Sequence, residues 1–244
     1  MHGTINLNRS SVLILAILLT LVCPALLRAE EAPEIGEEHN FKLFFPHLWQ
    51  EEKAIWSAPF RKETWHGPKA WILAGSIGGS LALDDGFSRD LRDNESFDDL
   101  DRVFSSDELE WSMWALPAVV TLVGESVGRP EVSEYGWKLS EGAVNAFIAA
   151  KALKFAAGRE RPHTGEIYGF REGGNSFPSG HSIISWTLAE VTVRHFSGRK
   201  WVPWVAYPLA GLVSFSRVSS GNHFTSDVVA GSVIGFSIGH WAVK

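Results

Sequence analysis

The chain is expected to fold as an all-α helical bundle, and three observations predict it. Five apolar segments follow residue 110, at about 111–127, 137–157, 181–197, 201–216 and 224–243. Their apolar residues recur at intervals of three and four, the period of a helix face, with no strand-like alternation. Gly or Pro marks most of their ends. At 244 residues the chain is long enough for one domain with a real core and an appendage.

In chain order, residues 1–10 are polar with one Arg, and residues 11–27 (SVLILAILLTLVCPALL) are apolar. This pattern is a secretory signal, with a plausible cut after Ala29, or an uncleaved membrane anchor. Either one delivers the rest of the chain across a membrane. Cys23 is the only cysteine, so no intrachain disulfide is possible. Residues 30–69 turn acidic and then aromatic, with Pro46, Pro59 and Pro68 as punctuation, which predicts irregular structure with short helices. Residues 70–83 are apolar and rich in small residues, which predicts a tightly packed helix too short for a span. Residues 84–110 carry Asp84, Asp85, Asp98, Asp99 and Asp101 without the spacing of a calcium loop, so a solvated linker is expected there. The organisation is therefore 1–29 signal or anchor, 30–110 an acidic and aromatic extracytoplasmic region, and 111–244 the bundle.

Composition excludes little beyond nucleic-acid binding. The net charge is −6, and nothing basic clusters outside the motifs that carry chemistry. Eleven Trp, many at the ends of apolar runs, fit a membrane-interface belt and buried core positions equally well. Glu125, Glu141, Lys151, Glu190, Arg194 and His240 lie inside the apolar segments. They are expected on polar flanks or in pairs within the bundle.

Three short stretches carry chemistry. In Ser216-Arg217 through His223 to Asp227, the imidazole and the carboxylate stand four residues apart. On a helix this spacing shares a face, and the carboxylate then fixes which ring nitrogen is free. Arg217 presents a planar donor fork suited to a tetrahedral oxyanion. Lys154 and Arg161-Pro162 supply two more cations, with Pro162 expected to end the helix that carries Lys154. Pro178-Ser179-Gly180-His181 places a Ser-Gly turn before a second imidazole. Free backbone N–H groups at such a helix start favour an anion. Taken singly, each has a plain structural reading: a capping Ser, a hydrogen-bonded His, a surface cation.

Read together, K-x6-RP, PSGH and SR-x5-H-x3-D resemble the type 2 phosphatidic acid phosphatase (PAP2) family, which shares its fold and phosphate pocket with the vanadium haloperoxidases and the bacterial class A acid phosphatases. The resemblance covers about residues 111–243. It implies that His223 attacks phosphorus to form a phosphohistidine, that Asp227 supports it, and that His181 protonates the leaving oxygen and then activates water. It assigns phosphate binding to Lys154, Arg161, Ser179, Gly180 and Arg217, and needs no metal or other cofactor. The implied activity is hydrolysis of a phosphomonoester or pyrophosphate, expected to belong to a lipid. The alternatives are a broad-specificity secreted acid phosphatase, a vanadium haloperoxidase, and a non-catalytic phosphate- or lipid-binding protein. His163 is expected to be an exposed loop residue, and His195 and His240 structural; His39, His47 and His66 receive no role. The expected location is an inner membrane with the site on its periplasmic face. In that topology 11–27 is a first span or a cleaved signal, 70–83 does not cross, the five later segments do, and residues 197–200 lie inside. A soluble secreted bundle is the rival.

Overall fold

A computed structural model describes residues 68–164 and 167–243, with side chains from residue 75 onward, together with the isolated positions 46, 49, 53 and 57. The signal or anchor at 1–29 and most of the region to residue 67 lie outside the described residues. Among the described residues eight α-helices occur in order: α1 (Pro68–Leu81), α2 (Gly86–Arg92), α3 (Asp98–Phe104), α4 (Asp107–Ser126), α5 (Pro130–Ala157), α6 (Gly180–His195), α7 (Val202–Ser219) and α8 (Thr225–Trp241). Short 3-10 turns occupy Glu95–Phe97 and Pro162–Thr164. No strand occurs among the described residues, as the all-α expectation requires.

The helices begin and end where local chemistry says they should. Ser106 caps α4, its hydroxyl accepting from the Leu109 N–H at 3.2 Å. Asp107, Glu108 and Glu110 then stand in the first turn, where the helix dipole favours negative charge. Pro130 opens α5 at a position where its missing N–H costs nothing, so this helix begins seven residues before the apolar run at 137. Gly158, at φ 51°, ends α5 in the left-handed conformation. The helix carrying Lys154 therefore stops at Ala157, four residues before Arg161, and Pro162 is not what terminates it.

The core runs through Leu139, Ala146, Ile183, Ile184, Val191 and Ile238, all nearly inaccessible. α6 is the central element: α5, α7 and α8 pack on it, α4 packs on α5, α1 on α8, and α2 and α3 on α7. The α6–α8 contact is closest of all. Cβ atoms at Gly231, Gly235 and Gly239 would lie 2.8, 2.2 and 2.7 Å from the carbonyl oxygens of Ser179, Ile183 and Thr187. Only glycine at every fourth position of α8 lets the two backbones touch. The contact also ties the starts of the two helices, where the Ser179 N–H donates to the Asp227 carbonyl at 3.0 Å.

The acidic stretch 84–110 is not a solvated linker. Asp85, Asp98 and Asp99 are exposed, but Asp84 is 2% exposed and Ser88 is buried. The segment forms α2, a 3-10 turn and α3, laid across the end of the bundle. Asp84 lies in the turn before α2, and its burial is matched by a guanidinium partner that a run of acids does not reveal.

Among the described residues no helix is long and apolar enough to cross a membrane. The expected spanning topology finds no supporting helix there. Charge inside the bundle is paired: Glu190, 3% exposed, accepts from the Tyr207 hydroxyl at 2.6 Å and lies 3.2 Å from His240 Nδ1. Among the Trp residues, Trp111 and Trp204 are exposed, whereas Trp114 and Trp186 pack inward.

Candidate active site

The end of α5, the starts of α6 and α8 and the end of α7 meet at one pole of the bundle. There the eight sequence-predicted residues collect. His223 lies in the turn after α7, two residues before α8 begins, so it does not share a helix with Asp227. Its Nδ1 nonetheless stands 3.5 Å from Asp227 Oδ2, because the carboxylate turns back over the start of α8. The same oxygen accepts the Phe224 N–H at 2.9 Å and the Ser176 hydroxyl at 2.5 Å. The loop holding His223 is closed by the His223 N–H on the Arg217 carbonyl, 2.9 Å away.

Beneath this pair is a residue that the motif spacing passes over. Arg159 is completely buried; it donates at 2.7 Å from Nη1 to Asp227 Oδ1 and at 2.7 Å from Nη2 to Asp84 Oδ2. Asp84 in turn accepts from the Ser226 N–H at 2.8 Å and hydroxyl at 2.6 Å. The guanidinium is sandwiched by aromatic rings, 4.2 Å from the Phe224 centroid and 4.8 Å from that of Phe170. A buried charge is tolerated only when paired and hydrogen-bonded, and this one has two carboxylates.

The electrostatics reflect that arrangement. Burial pushes His223 down to about 3, against the support of Asp227 and with the Lys154 and Arg217 charges adding to the fall. The ring is therefore neutral at rest, with its Nδ1 proton directed to the carboxylate and its Nε2 lone pair free. Burial alone would raise Asp227, but the His223 hydrogen bond, the Arg159 charge and the Ser176 hydroxyl outweigh it and hold the carboxyl low.

Three cations face one another. Lys154 Nζ donates to the Asn175 carbonyl at 2.5 Å and Arg161 Nε to the Asn175 side chain at 2.8 Å, so one loop residue holds both. Arg217 Nη1 is held by the Ser105 carbonyl and hydroxyl at 2.5 and 2.7 Å, while its buried Nε has no partner. Burial and then the Arg161 charge lower Lys154 to about 8 and Arg217 to about 10. Cations that depress one another in this way concentrate positive charge at one place, which favours an anion. Ser179 caps α6, its hydroxyl 3.5 Å from the Ser182 N–H. Gly180 leaves room beside it: a Cβ there would come within 3.3 Å of Glu110 and 3.8 Å of Lys154.

His181, 2% exposed, opens α6 on the other side of this cradle. Burial and the Arg217 charge hold it down to about 3. A cavity of about 440 Å³ reaches His223 between α2 and the Pro162–Thr164 turn, and His163 lines it. His163 is exposed, as expected for a loop residue. Among the described residues, no three His, Cys, Asp or Glu side chains converge as a metal site.

Sequence reading missed Arg159, Ser176, Asn175, Asp84, Ser105 and Glu110. Arg159 stands inside the K-x6-RP motif, and its position between Lys154 and Arg161 was the available signal. The other five stand outside the motifs, and no spacing marks them.

A neutral imidazole backed by a buried carboxylate thus lies with three cations and a capped helix start at one pole of a helical bundle. Residues 135–244 match the PAP2 superfamily. Over 78 residues it is 36% identical to the lipid A 4'-phosphatase of Porphyromonas gingivalis, covering 32% of this chain and 33% of that protein. Over 117 residues it is 30% identical to the lipid A 1-phosphatase of the same organism, 47% of this chain and 23% of the relative. A PA-phosphatase related-family protein of Dictyostelium discoideum is 36% identical over 106 residues, 36% of this chain and 39% of that protein. The chain spans less than half the length of each of these relatives. No solved structure matches it.

Proposed function

We propose that the protein is a phosphoric ester hydrolase that removes phosphate from a lipid through a phosphohistidine intermediate. The observation that carries this reading is the supported His223 ring, neutral and fixed by the Asp227–Arg159 pair, opposite Lys154, Arg161 and Arg217. A phosphate monoester repels nucleophiles by its own charge, so the equatorial oxygens must be neutralised before attack. Lys154, Arg161 and Arg217 do this, and the unpartnered Arg217 Nε is a donor awaiting an oxygen. The Ser179 hydroxyl and the N–H groups at the start of α6 take another oxygen.

The reaction runs in two displacements. The His223 Nε2 lone pair forms a bond to phosphorus as the ester P–O bond breaks, and His181 gives the leaving oxygen a proton. Asp227 holds the Nδ1 proton and balances the positive charge that grows on the ring. Water then attacks phosphorus, yields a proton to His181, and the P–N electron pair returns to His223.

The lipid character of the substrate is supported by the two lipid A phosphatases among the relatives. In this reading the site faces the extracytoplasmic side of a membrane, with residues 11–27 delivering or anchoring the chain. Phosphate release from a panel of lipid phosphates, isoprenyl pyrophosphates and soluble esters tests the assignment. Turnover of lipid phosphates with acid-labile, base-stable labelling of His223 is expected. Activity confined to soluble esters makes the chain a broad-specificity acid phosphatase, and halide oxidation by vanadate-loaded protein makes it a haloperoxidase.

A further inference from the structure

The first turn of α4 brackets His181. The imidazole Nε2 lies 3.3 Å from the Ser106 carbonyl oxygen, and Nδ1 lies 3.2 Å from Glu110 Oε2. The other carboxylate oxygen rests against the bare backbone of Gly180, where a Cβ would come within 3.3 Å of it. Neither Ser106 nor Glu110 belongs to the matched region 135–244.

A carboxylate at the rim of a phosphate cradle is at first sight misplaced, because it repels the substrate it borders. Its directed contact with the second imidazole gives it a purpose. We infer that Glu110 is the positioning carboxylate of His181: it accepts the Nδ1 proton, aims Nε2 at the leaving oxygen, and stabilises the imidazolium that protonates it. This rests on the phosphotransfer reading above, and it gives each imidazole its own acid partner, Asp227 for His223 and Glu110 for His181.

The charges around His181 agree with that role. Asp107 and Glu110 face it from α4, Lys154 from α5 and Arg217 from α7. In the free enzyme, burial and the two cations keep the ring neutral. A phosphate dianion seated on Lys154 and Arg217 cancels the positive charge that opposes protonation, and leaves Glu110 as the anion within reach of Nδ1. Once the ring is protonated, Nε2 carries the second proton toward the Ser106 carbonyl, an acceptor only, at a length where a hydrogen bond is weak, so the leaving oxygen can replace it. When the P–O bond breaks, its electron pair goes to that oxygen, which takes the Nε2 proton. The ring, neutral again, takes a proton from water as the P–N bond is cleaved.

The test compares two esters that share a phosphoryl group on the full chain and on Glu110→Gln and Glu110→Asp. One is an alkyl phosphate, whose alkoxide must be protonated as it leaves; the other is p-nitrophenyl phosphate, whose phenolate needs no proton. Glu110→Gln is expected to lower kcat for the alkyl ester about tenfold or more, with KM within about twofold and the aryl ester little changed. The basic limb of the alkyl kcat profile moves to lower pH by about one unit, because the imidazolium has lost its anion. Glu110→Asp recovers part of the alkyl activity. The alkyl-to-aryl ratio is internal to each preparation, so a partly unfolded variant still reports it. Equal losses on both esters, or an unchanged ratio and an unmoved limb, overturn the assignment. A wild-type chain that cleaves neither ester overturns the phosphatase reading itself.

Discussion

The two regions that build the pocket differ in how they do it. The matched region, residues 135–244, supplies His181, His223, Asp227, Lys154, Arg161 and Arg217, groups whose chemistry depends on their identity. Residues 84–110 supply groups that hold the pocket in place: Asp84 on Arg159 and Ser226, Ser105 on Arg217, Ser106 and Glu110 on His181. The first region carries a signature because, in the proposed reaction, the chemistry dictates its residues. The second carries none, because any polar group of the right reach can serve. Substitutions should therefore separate, with changes in the first region abolishing turnover and changes in the second shifting stability or alignment.

The largest expected effect breaks the first region alone. His223→Ala removes the nucleophile and should lower phosphate release by about 10⁴-fold or more, with thermal unfolding little changed. Asp227→Asn is expected to lie between that variant and wild type in turnover, but to unfold more easily because Asp227 also pairs with buried Arg159. Substantial turnover in His223→Ala would place the nucleophile elsewhere.

Arg159 joins the two regions, and its loss should be the largest stability effect. Arg159→Met leaves Asp84 and Asp227 buried without their cation, which costs about 3–5 kcal/mol. Asp84→Asn keeps an acceptor and should cost about 1–3 kcal/mol. Urea unfolding of both variants and the double variant measures their coupling. Additive losses would mean that residues 84–110 and the site are energetically independent.

Much of this pocket was legible in the sequence. Lys154, Arg161, Ser179, Gly180, His181, Arg217, His223 and Asp227 were all read from spacing, and all converge at one pole of the bundle. Helix identity was legible too, because apolar periodicity over about 15 to 20 residues is a strong signal. What escaped was the partner of each charge. Asp84 looks like any acid in an acidic run, and its burial is decided by Arg159, 75 residues later, across a contact that no local pattern encodes. The start of α5 escaped for a related reason, since its first two turns mix Val132 and Tyr135 among polar residues and are marked only by Pro130.

A smaller effect concerns the cations. Lys154 is lowered to about 8, chiefly by burial and then by Arg161. Inhibition by inorganic phosphate or vanadate should therefore weaken as pH rises past about 8, by up to about tenfold per unit, because the free site loses a charge there. Lys154→Met should flatten this dependence. A profile that is level to about pH 10 would remove Lys154 from the cradle.

The smallest expected effect separates two carboxylates within 84–110. Asp84 is fully enclosed and meets a guanidinium, a backbone N–H and a hydroxyl. Asp101 is only partly covered; it accepts from the Ser219 hydroxyl at 2.5 Å. Burial, followed by repulsion from Asp98, raises Asp101 despite that hydrogen bond and the Arg217 charge. A carboxyl raised on folding binds its proton more tightly in the folded chain. Its contribution is fully present below the ordinary carboxyl value near about 4 and is lost as pH rises through the raised one. At neutral pH the ionised group therefore works slightly against folding, whereas an amide keeps the acceptor for Ser219 and carries no charge. Asp101→Asn should thus be neutral or stabilising by about half a kcal/mol or less at about pH 7, with the difference fading below about pH 4. Unfolding midpoints of the two chains at these two pH values measure it. A loss as large as that of Asp84→Asn would mean that Asp101 is as closely tied to Arg217 as Asp84 is to Arg159.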